Sequence, residues 1–261
     1  MNISIHQAEN PESFCRQVPL PESTRGYALS RSNQSRLPMQ FTEGEGQAIA
    51  IGSQIAEFAG DVPVDLRADI ANSYLFAQLA ADRALEDEGG GTRSWYQRYV
   101  NTIASTGWIV LSNDESFREV SGSTMEVHKE IIPIVTAALG PAVTAGAIVV
   151  KVLEGLAAMD DDNPWVTLFE RESQRATANQ FQVSYASMEQ GVPQSTLVCF
   201  ELDAARAITQ VLFFNFSTTD AKLTHFNAQL SLNTGIFAQT APIVAERIRS
   251  FLLSQIAEIP I

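Results

Sequence analysis

Three histidines, two cysteines and three clusters of carboxylates are the residues of this chain whose types could do chemistry. His6, His128 and His225 form no H-x-x-x-H pair, so the spacing of a zinc enzyme is missing. No G-x-S-x-G elbow marks a nucleophilic serine, which leaves a Ser–His–Asp set only as an assembly of distant residues. Cys15 and Cys199 make no C-x-x-C pattern. Cys199 lies in the apolar run from Thr196 to Leu202 and reads as a small buried hydrophobe. Cys15 lies in a polar segment, and nothing in the sequence requires a Cys15–Cys199 disulfide. The carboxylates gather at Asp82/Glu86/Asp87/Glu88, at Asp114/Glu115/Glu119 and at Asp160–Asp162. The last group offers oxygen donors for a hard cation, but Trp165 and Arg171 stand where a calcium loop needs Gly and Glu, so helix capping is the better reading. Gly44-x-Gly46 and Gly89–Gly91 lack the partners of a phosphate cradle. Trp95, Tyr96, Tyr99 and Trp108 are candidates for a ligand pocket, yet their helical spacing reads as core; Phe213, Phe214 and Phe216 read the same way in a strand. No residue is assigned a catalytic, cofactor-binding or metal-binding role.

Composition narrows the function classes. The chain has 261 residues, 45% of them hydrophobic, with a formal net charge of −13. Such a chain can build a core and repels its own kind and other anions. Nucleic acid is excluded as a partner, because affinity for phosphates needs clustered Lys and Arg. Residues 1–20 contain no apolar signal region, so the expected location is the cytoplasm, or outside the cell by a route without a cleaved signal.

The run from Ile131 to Val150 carries no charge and has the length of a membrane crossing. Pro133 near its start and Gly140-Pro141 in its middle favour a helical pair buried in a soluble body, because Gly stops a helix and Pro restarts one. About half of the run is Ala, Gly, Thr or Pro, and Lys129, Glu130 and Lys151 give no orienting positive bias.

The elements that would position any site follow from period and punctuation. Residues 1–45 are polar and read as an N-terminal arm; residues 46–261 read as one α+β domain. Gln47–Phe58 fits either a helix or a short strand. Asp65 or Asp69 is the expected cap of a helix running to about Leu85, ended by the glycines after Glu88. Ser94 opens the next helix, and Gly107 turns into a short extension at Trp108–Leu111. Ser123 and Glu126 make a capping box before Val127, Ile131 and Ile134. Asn163-Pro164 starts a helix that buries Trp165, Leu168 and Phe169. After Arg175 the period falls to two. Strands are expected around Phe181–Tyr185, Val198–Leu202, Ile208–Phe216 (as the central strand) and Phe226–Leu232, joined as an antiparallel meander. An amphipathic helix from about Thr234 to Ile256 closes the chain. The expected fold is therefore α+β: a helical layer packed on a four-stranded antiparallel sheet, with a C-terminal amphipathic helix.

Three segments carry a resemblance: Gly52–Phe58 (GSQIAEF), Arg67–Ala81 (RADIANSYLFAQLAA) and Ser94–Trp108 (SWYQRYVNTIASTGW). With the run from Leu212 to Ser217, they resemble an uncharacterised family of soluble fungal and bacterial proteins with a WYxxYVxxxxxxGW segment. The resemblance implies a soluble unit of helices and sheet, argues against a membrane span at Ile131–Val150, and implies no reaction.

The first functional expectation is a non-catalytic protein that binds itself or another protein through its arm and sheet edges. The second is a membrane-active effector or toxin whose apolar pair at 131–150 unpacks and inserts. The third is a hydrolase with a scattered site. No cofactor is expected.

Overall fold

The computed structural model describes residues 5–22, 40–89, 91–118, 125–144, 147–155, 163–174, 179–204, 211–212, 215–216 and 221–259. In chain order the elements are α1 (Pro11–Gln17), β1 (Gln47–Ile51), β2 (Gln54–Phe58), α2 (Val64–Glu88), α3 (Thr92–Ser105), β3 (Trp108–Arg118), β4 (Met125–Glu126), α4 (Val127–Leu139), α5 (Pro141–Thr144), α6 (Ile148–Gly155), α7 (Pro164–Ser173), β5 (Asn179–Glu189), β6 (Val192–Ala204), β7 (Asn215–Phe216), β8 (Ala221–Leu232), α8 (Thr234–Ile248), α9 (Leu252–Gln255) and β9 (Ile256–Glu258).

The α+β class holds, but the sheet is larger than the sequence implied. It has seven strands in the order β3-β8-β6-β5-β2-β1-β9, and it is mixed: β2 and β5 run parallel while the other neighbours are antiparallel. The ambiguous run at 47–58 is the hairpin β1–β2, closed by the two residues Gly52 and Ser53, with Gly52 at φ 54°. A second two-residue turn, Gln190-Gly191, closes β5–β6; both residues have positive φ, the requirement of a type I′ turn. The expected extension at Trp108 is an edge strand of eleven residues.

Two expectations in the C-terminal half need correction. Ile208–Phe216 is not the central strand. Val211 and Leu212 lie outside any strand, Asn215–Phe216 pairs only with β4 in a separate ribbon, and residues 208–210 and 213–214 lie outside the described residues. The backbone donors of Val211 and Leu212 go to the carboxylate of Glu170 and not to a neighbouring strand. The closing helix also ends early. α8 stops at Ile248, and Ile256–Glu258 becomes β9, because the open edge of β1 offers backbone partners at Ile49–Ile51 that a helix would leave unpaired.

Helices cover both faces of the sheet. On one face, Ile49, Ile51, Ala56, Phe58, Leu197, Cys199, Phe226 and Leu230 pack with α1, α2, α3 and α8. On the other, Ala48, Ala50, Ile55, Phe181, Val183, Val198, Phe200 and Leu202 pack with α4, α6 and α7. The alternation of strand residues between the two cores is the period of two read in space. Part of the expected arm belongs to this body: Arg247 of α8 donates to the carbonyls of Cys15 (2.8 Å) and Val18 (2.6 Å), gripping the C-terminal end of α1. Arg67, fully buried in α2, gathers the carbonyls of Thr42, Glu45, Gly60 and Val62, which sets the entry to β1 and the exit from β2.

The uncharged run is broken as its Gly and Pro residues require. α4 ends at Gly140 (φ 78°), Pro141 opens α5, and α6 follows from Ile148. Ile131, Ile134, Val135, Val149 and Val150 are buried. No helix among the described residues is long and apolar enough to cross a membrane. Ser123 of the expected capping box lies outside the described residues, and Glu126 is the N-cap of α4 without a side-chain cap bond. α2 likewise starts without one: neither Asp65 nor Asp69 caps it, its N-cap is Pro63, and Glu43 accepts from the Val64 N–H at 3.4 Å. Asn163 does cap α7, accepting from Trp165 N–H at 3.3 Å.

Gly107 joins α3 to β3 at φ 117°, and a Cβ there would lie 2.9 Å from the backbone nitrogen of Phe237 in α8. Both terms oppose any side chain. Gly107→Ala is expected to lower unfolding free energy by about 2–4 kcal/mol in urea titration, since strain and overpacking add.

Candidate functional site

Two buried polar systems sit on opposite faces of the sheet, and neither follows from a motif. The first lies under α2 and α3. Gln78 of α2 donates to the Ile51 carbonyl (3.0 Å) and to Gln54 Oε1 (3.2 Å), and its own Oε1 accepts from Ser53 N–H (3.2 Å). Gln54 donates to Ser184 Oγ (2.7 Å) and accepts from the Tyr99 hydroxyl (3.2 Å). Ser53 Oγ donates to Gln182 Oε1 (3.2 Å), whose amide points at Cys199 Sγ (3.9 Å). The Tyr74 hydroxyl and Ser195 Oγ share a bond of 2.7 Å. These side chains are all buried.

The chemistry of this network is neutral. Burial pushes the phenols of Tyr74, Tyr96 and Tyr99 up, and it pushes the Cys199 thiol up as well. A thiol or phenol held protonated in this way is a poor nucleophile. The bonds instead tie the β1–β2 hairpin, the parallel strand β5 and two helices into one register. The glutamines fix that register directionally, which apolar packing cannot do.

The second system lies on the face covered by α4–α7. Glu57 of β2 is 3% exposed, and its carboxylate accepts from the Val149 N–H at 2.8 Å and from the Ile148 N–H, the first two donors of α6. A helix N-terminus leaves such donors unpaired and attracts negative charge. Burial dominates nonetheless: the Glu57 carboxyl is raised above its ordinary value, opposed by the two N–H bonds and by Lys151. Nearby, Glu170 of α7 accepts from Leu212 N–H at 2.9 Å, and the Leu212 carbonyl meets both the backbone N–H and Nδ1 of His128 at 3.1 Å. His128 Nε2 lies 3.3 Å from Glu126.

The residues singled out from sequence are scattered over this frame. His6 is exposed and donates its backbone N–H to Asn101. His128 is buried at the start of α4, and His225 sits on β8 beside Phe200. Cys15 and Cys199 are free thiols, with burial holding Cys15 near 11. Trp95, Tyr96, Tyr99 and Trp108 are core: Trp95 stacks on Tyr99 (5.2 Å) and Tyr96 on Phe226 (4.6 Å). Asp82 accepts from Trp95 Nε1, while Asp87 and Glu88 pair with Arg83 and Arg98. Asp160–Asp162, Glu119, Phe213 and Phe214 lie outside the described residues. Among the described residues no group of three or more His, Cys, Asp or Glu side chains is placed to hold a metal ion. Glu57, Glu170 and the glutamines were missed because a carboxylate or amide, whether in a strand (Glu57, Gln54, Gln182) or a helix (Glu170, Gln78), announces its partner only when the far element is in place. The one available signal was Glu57 itself, two residues after Ile55 on what proves to be a fully buried strand.

No family model matches the chain, and no curated protein matches it. Among solved structures, one titled as a delta-endotoxin aligns over 81% of this chain and 96% of its own, at 12% identity and a TM-score of 0.36. Another, titled as the structure of the Evf virulence factor, aligns over 79% of this chain and 85% of its own, at 10% identity and a TM-score of 0.31.

The raised carboxyl of Glu57 has a definite sign. Stability from this group is full below the ordinary carboxyl value of 4.5 and is lost as pH rises through the raised value. Glu57→Gln cannot titrate. Wild type is therefore expected to lose stability relative to Glu57→Gln as pH climbs from about 4.5 toward neutrality, read from denaturation midpoints in matched buffers. A constant difference across that range would refute the assignment.

Proposed function

We propose that the protein is a non-catalytic, membrane-active protein that acts by presenting the β5–β6 hairpin to lipid. One observation carries this reading. The hairpin has an apolar face and a mixed face, although both are buried. Phe181 and Val183 share the apolar face with Val198, Phe200 and Leu202, with Phe181 opposite Phe200 and Val183 opposite Val198; half-buried Tyr185 lies opposite Thr196 at its end. Gln180, Gln182, Ser184, Ser195 and Glu201 share the other with Ala186, Leu197 and Cys199, so that face is mixed and not wholly polar. In the closed body three of these polar side chains, Gln182, Ser184 and Ser195, bond to Ser53, Gln54 and Tyr74, and a lipid-facing β-hairpin likewise needs one apolar side for lipid and a more polar side for water. The strands have 11 and 13 residues, and a span of about 3.3 Å per residue matches the roughly 30 Å hydrocarbon core. This reading moves the membrane element from the apolar run at 131–150 to the strands beneath it. α4 over β6 and α7 over β5 are then the cover, with α6 beside them over β1 and β2, and none of these helices is long and apolar enough to cross lipid.

The net charge of −13 directs the reading toward neutral lipid surfaces. The test is release of an entrapped dye from phosphatidylcholine vesicles. Release is expected within the range of pH 4–9, and its absence at every pH sinks the reading.

A second reading, self-association in solution, is supported by β3. This edge strand has no strand on its outer side among the described residues, and it exposes Ile109 (47%) and Leu111 (63%) beside the bulge between Val110 and Ser112. An open edge with exposed apolar residues is a template for another strand. Light scattering is expected to find a multimer that Leu111→Lys reduces to monomer; a wild-type monomer at all concentrations removes this reading.

A further inference from the structure

Independently of the membrane reading, we propose that one end of the sheet, where β5, β6, β8 and β3 lie side by side, is a binding platform for an uncharged oligosaccharide. Strand register places its residues. One row across the four strands is Ser187, Gln194, Ser231 and Ile109. The next is Tyr185, Thr196, Gln229 and Ser112. By the alternation of strand side chains, both rows continue the face that carries Val183 and Val198, then Phe181 and Phe200. Burial divides that face. Phe181, Val183, Val198 and Phe200 are enclosed, whereas every member of the two outer rows is half-buried or exposed. The helices on this side therefore leave the end of the sheet open, and a ligand reaches it without any element moving.

The make-up of the open rows selects the ligand. Seven of the eight side chains carry a hydroxyl or an amide and none is charged, in a chain of net charge −13. Such a surface matches a ligand that is itself a neutral array of donors and acceptors. It offers a phosphate, sulfate or carboxylate no cation, and Asp114, exposed next along this face of β3, repels one. Two bonds fix the amides: Gln194 Nε2 donates to Ser231 Oγ at 2.9 Å, and Thr196 Oγ1 donates to Gln229 Oε1 at 3.0 Å. Gln194 Oε1 and Gln229 Nε2 make no bond within the protein among the described residues. One oriented acceptor and one oriented donor thus stand on neighbouring strands. Ile109 and Tyr185, at diagonal corners, add apolar surface for the C–H faces of sugar rings. Size excludes a protein partner. Four strands about 4.8 Å apart and two rows give a footprint of about 14 by 7 Å, on the order of 100 Å², against roughly 800 Å² per partner in a stable protein complex. A few sugar rings fill it.

An array of immobilised neutral, sialylated and sulfated oligosaccharides, probed with the labelled full chain in lipid-free buffer, tests the platform. Retention is expected on neutral glycans and not on their acidic counterparts. On the glycan best retained, Gln194→Ala and Gln229→Ala are each expected to weaken binding about threefold to tenfold. Ser187→Lys leaves both amide bonds in place but lays a long cationic chain on the first row, and it is expected to weaken binding at least as much. Thermal unfolding midpoints equal to wild type identify these losses as local. Absence of retention on every neutral glycan, equal retention of acidic glycans, or wild-type affinity in all three variants overturns the proposal. The array holds no lipid, so its outcome is separate from that of the vesicle experiment.

Discussion

A sheet covered by helices on both faces holds most of its side chains away from water, so the polar ones it buries are pressed to find partners within the protein. This constraint organises the molecule. On the side of α2 and α3 it is met by Gln54, Gln78 and Gln182, whose amides serve one another and the serines and tyrosines beside them. On the side of α4–α7 it is met by carboxylates, with Glu57 and Glu170 taking backbone donors from α6 and from residues 211–212. Neither solution is the cheapest available to evolution. Apolar residues of similar volume would pack a permanent interior with less desolvation. The polar residues persist in the interior together with a hairpin that sorts its side chains by face.

The two polar systems differ in a way that bears on which layer is fixed. The amide network is neutral and reciprocal, with several bonds per side chain, and it joins β1, β2 and β5 to helices α2 and α3. A helix held by such a network separates from the sheet only by breaking many bonds together. The opposite cover is held at its α6 end through one carboxylate whose ionised form is penalised by burial. α2 is a single helix of 25 residues, whereas α4, α5 and α6 are pieces of 13, 4 and 8. Short helices draw most of their stability from what they pack against. The α4–α6 side is accordingly the weaker cover, on grounds of both length and bonding.

What was legible in the sequence was local. Gly140-Pro141 and Asn163-Pro164 announced helix boundaries because backbone geometry at Gly and Pro does not wait for tertiary contacts. The strands at Phe181, Val198 and Phe226 were legible from alternation over runs long enough to exclude a helix. What escaped was non-local. The stretch at 47–58 satisfies both periods, and only its pairing with β5 and β9 decides for a strand. β9 reads as the tail of a helix until β1 offers an edge. Ile208–Phe216 has the composition of a central strand, yet the backbone donors of Val211 and Leu212 are taken by Glu170, some forty residues away in the chain. The candidate site was illegible for the same reason, since Glu57 matters only through a helix end that lies 92 positions further on.

The location of Glu57 also explains why an apolar run of membrane length need not be a membrane element. A run that is uniformly apolar can be buried in water only under another apolar surface, and here α4 packs on β6 and α6 on β1 and β2, on the face that carries Phe181, Val183, Val198 and Phe200. Cover and covered are thus complementary. Each is too apolar to face water alone, and each satisfies the other in the closed body. The reverse side of the hairpin is mixed, with Gln180, Gln182, Ser184 and Ser195 beside Ala186, Leu197 and Cys199, while α6 turns Lys151 and Glu154 outward opposite its valines and α4 carries Pro133 within it. A more polar reverse side is what lets a strand pair remain hydrated on one side while its other side meets lipid. Under the proposed membrane reading, the hairpin and not the run at 131–150 is the element that meets lipid.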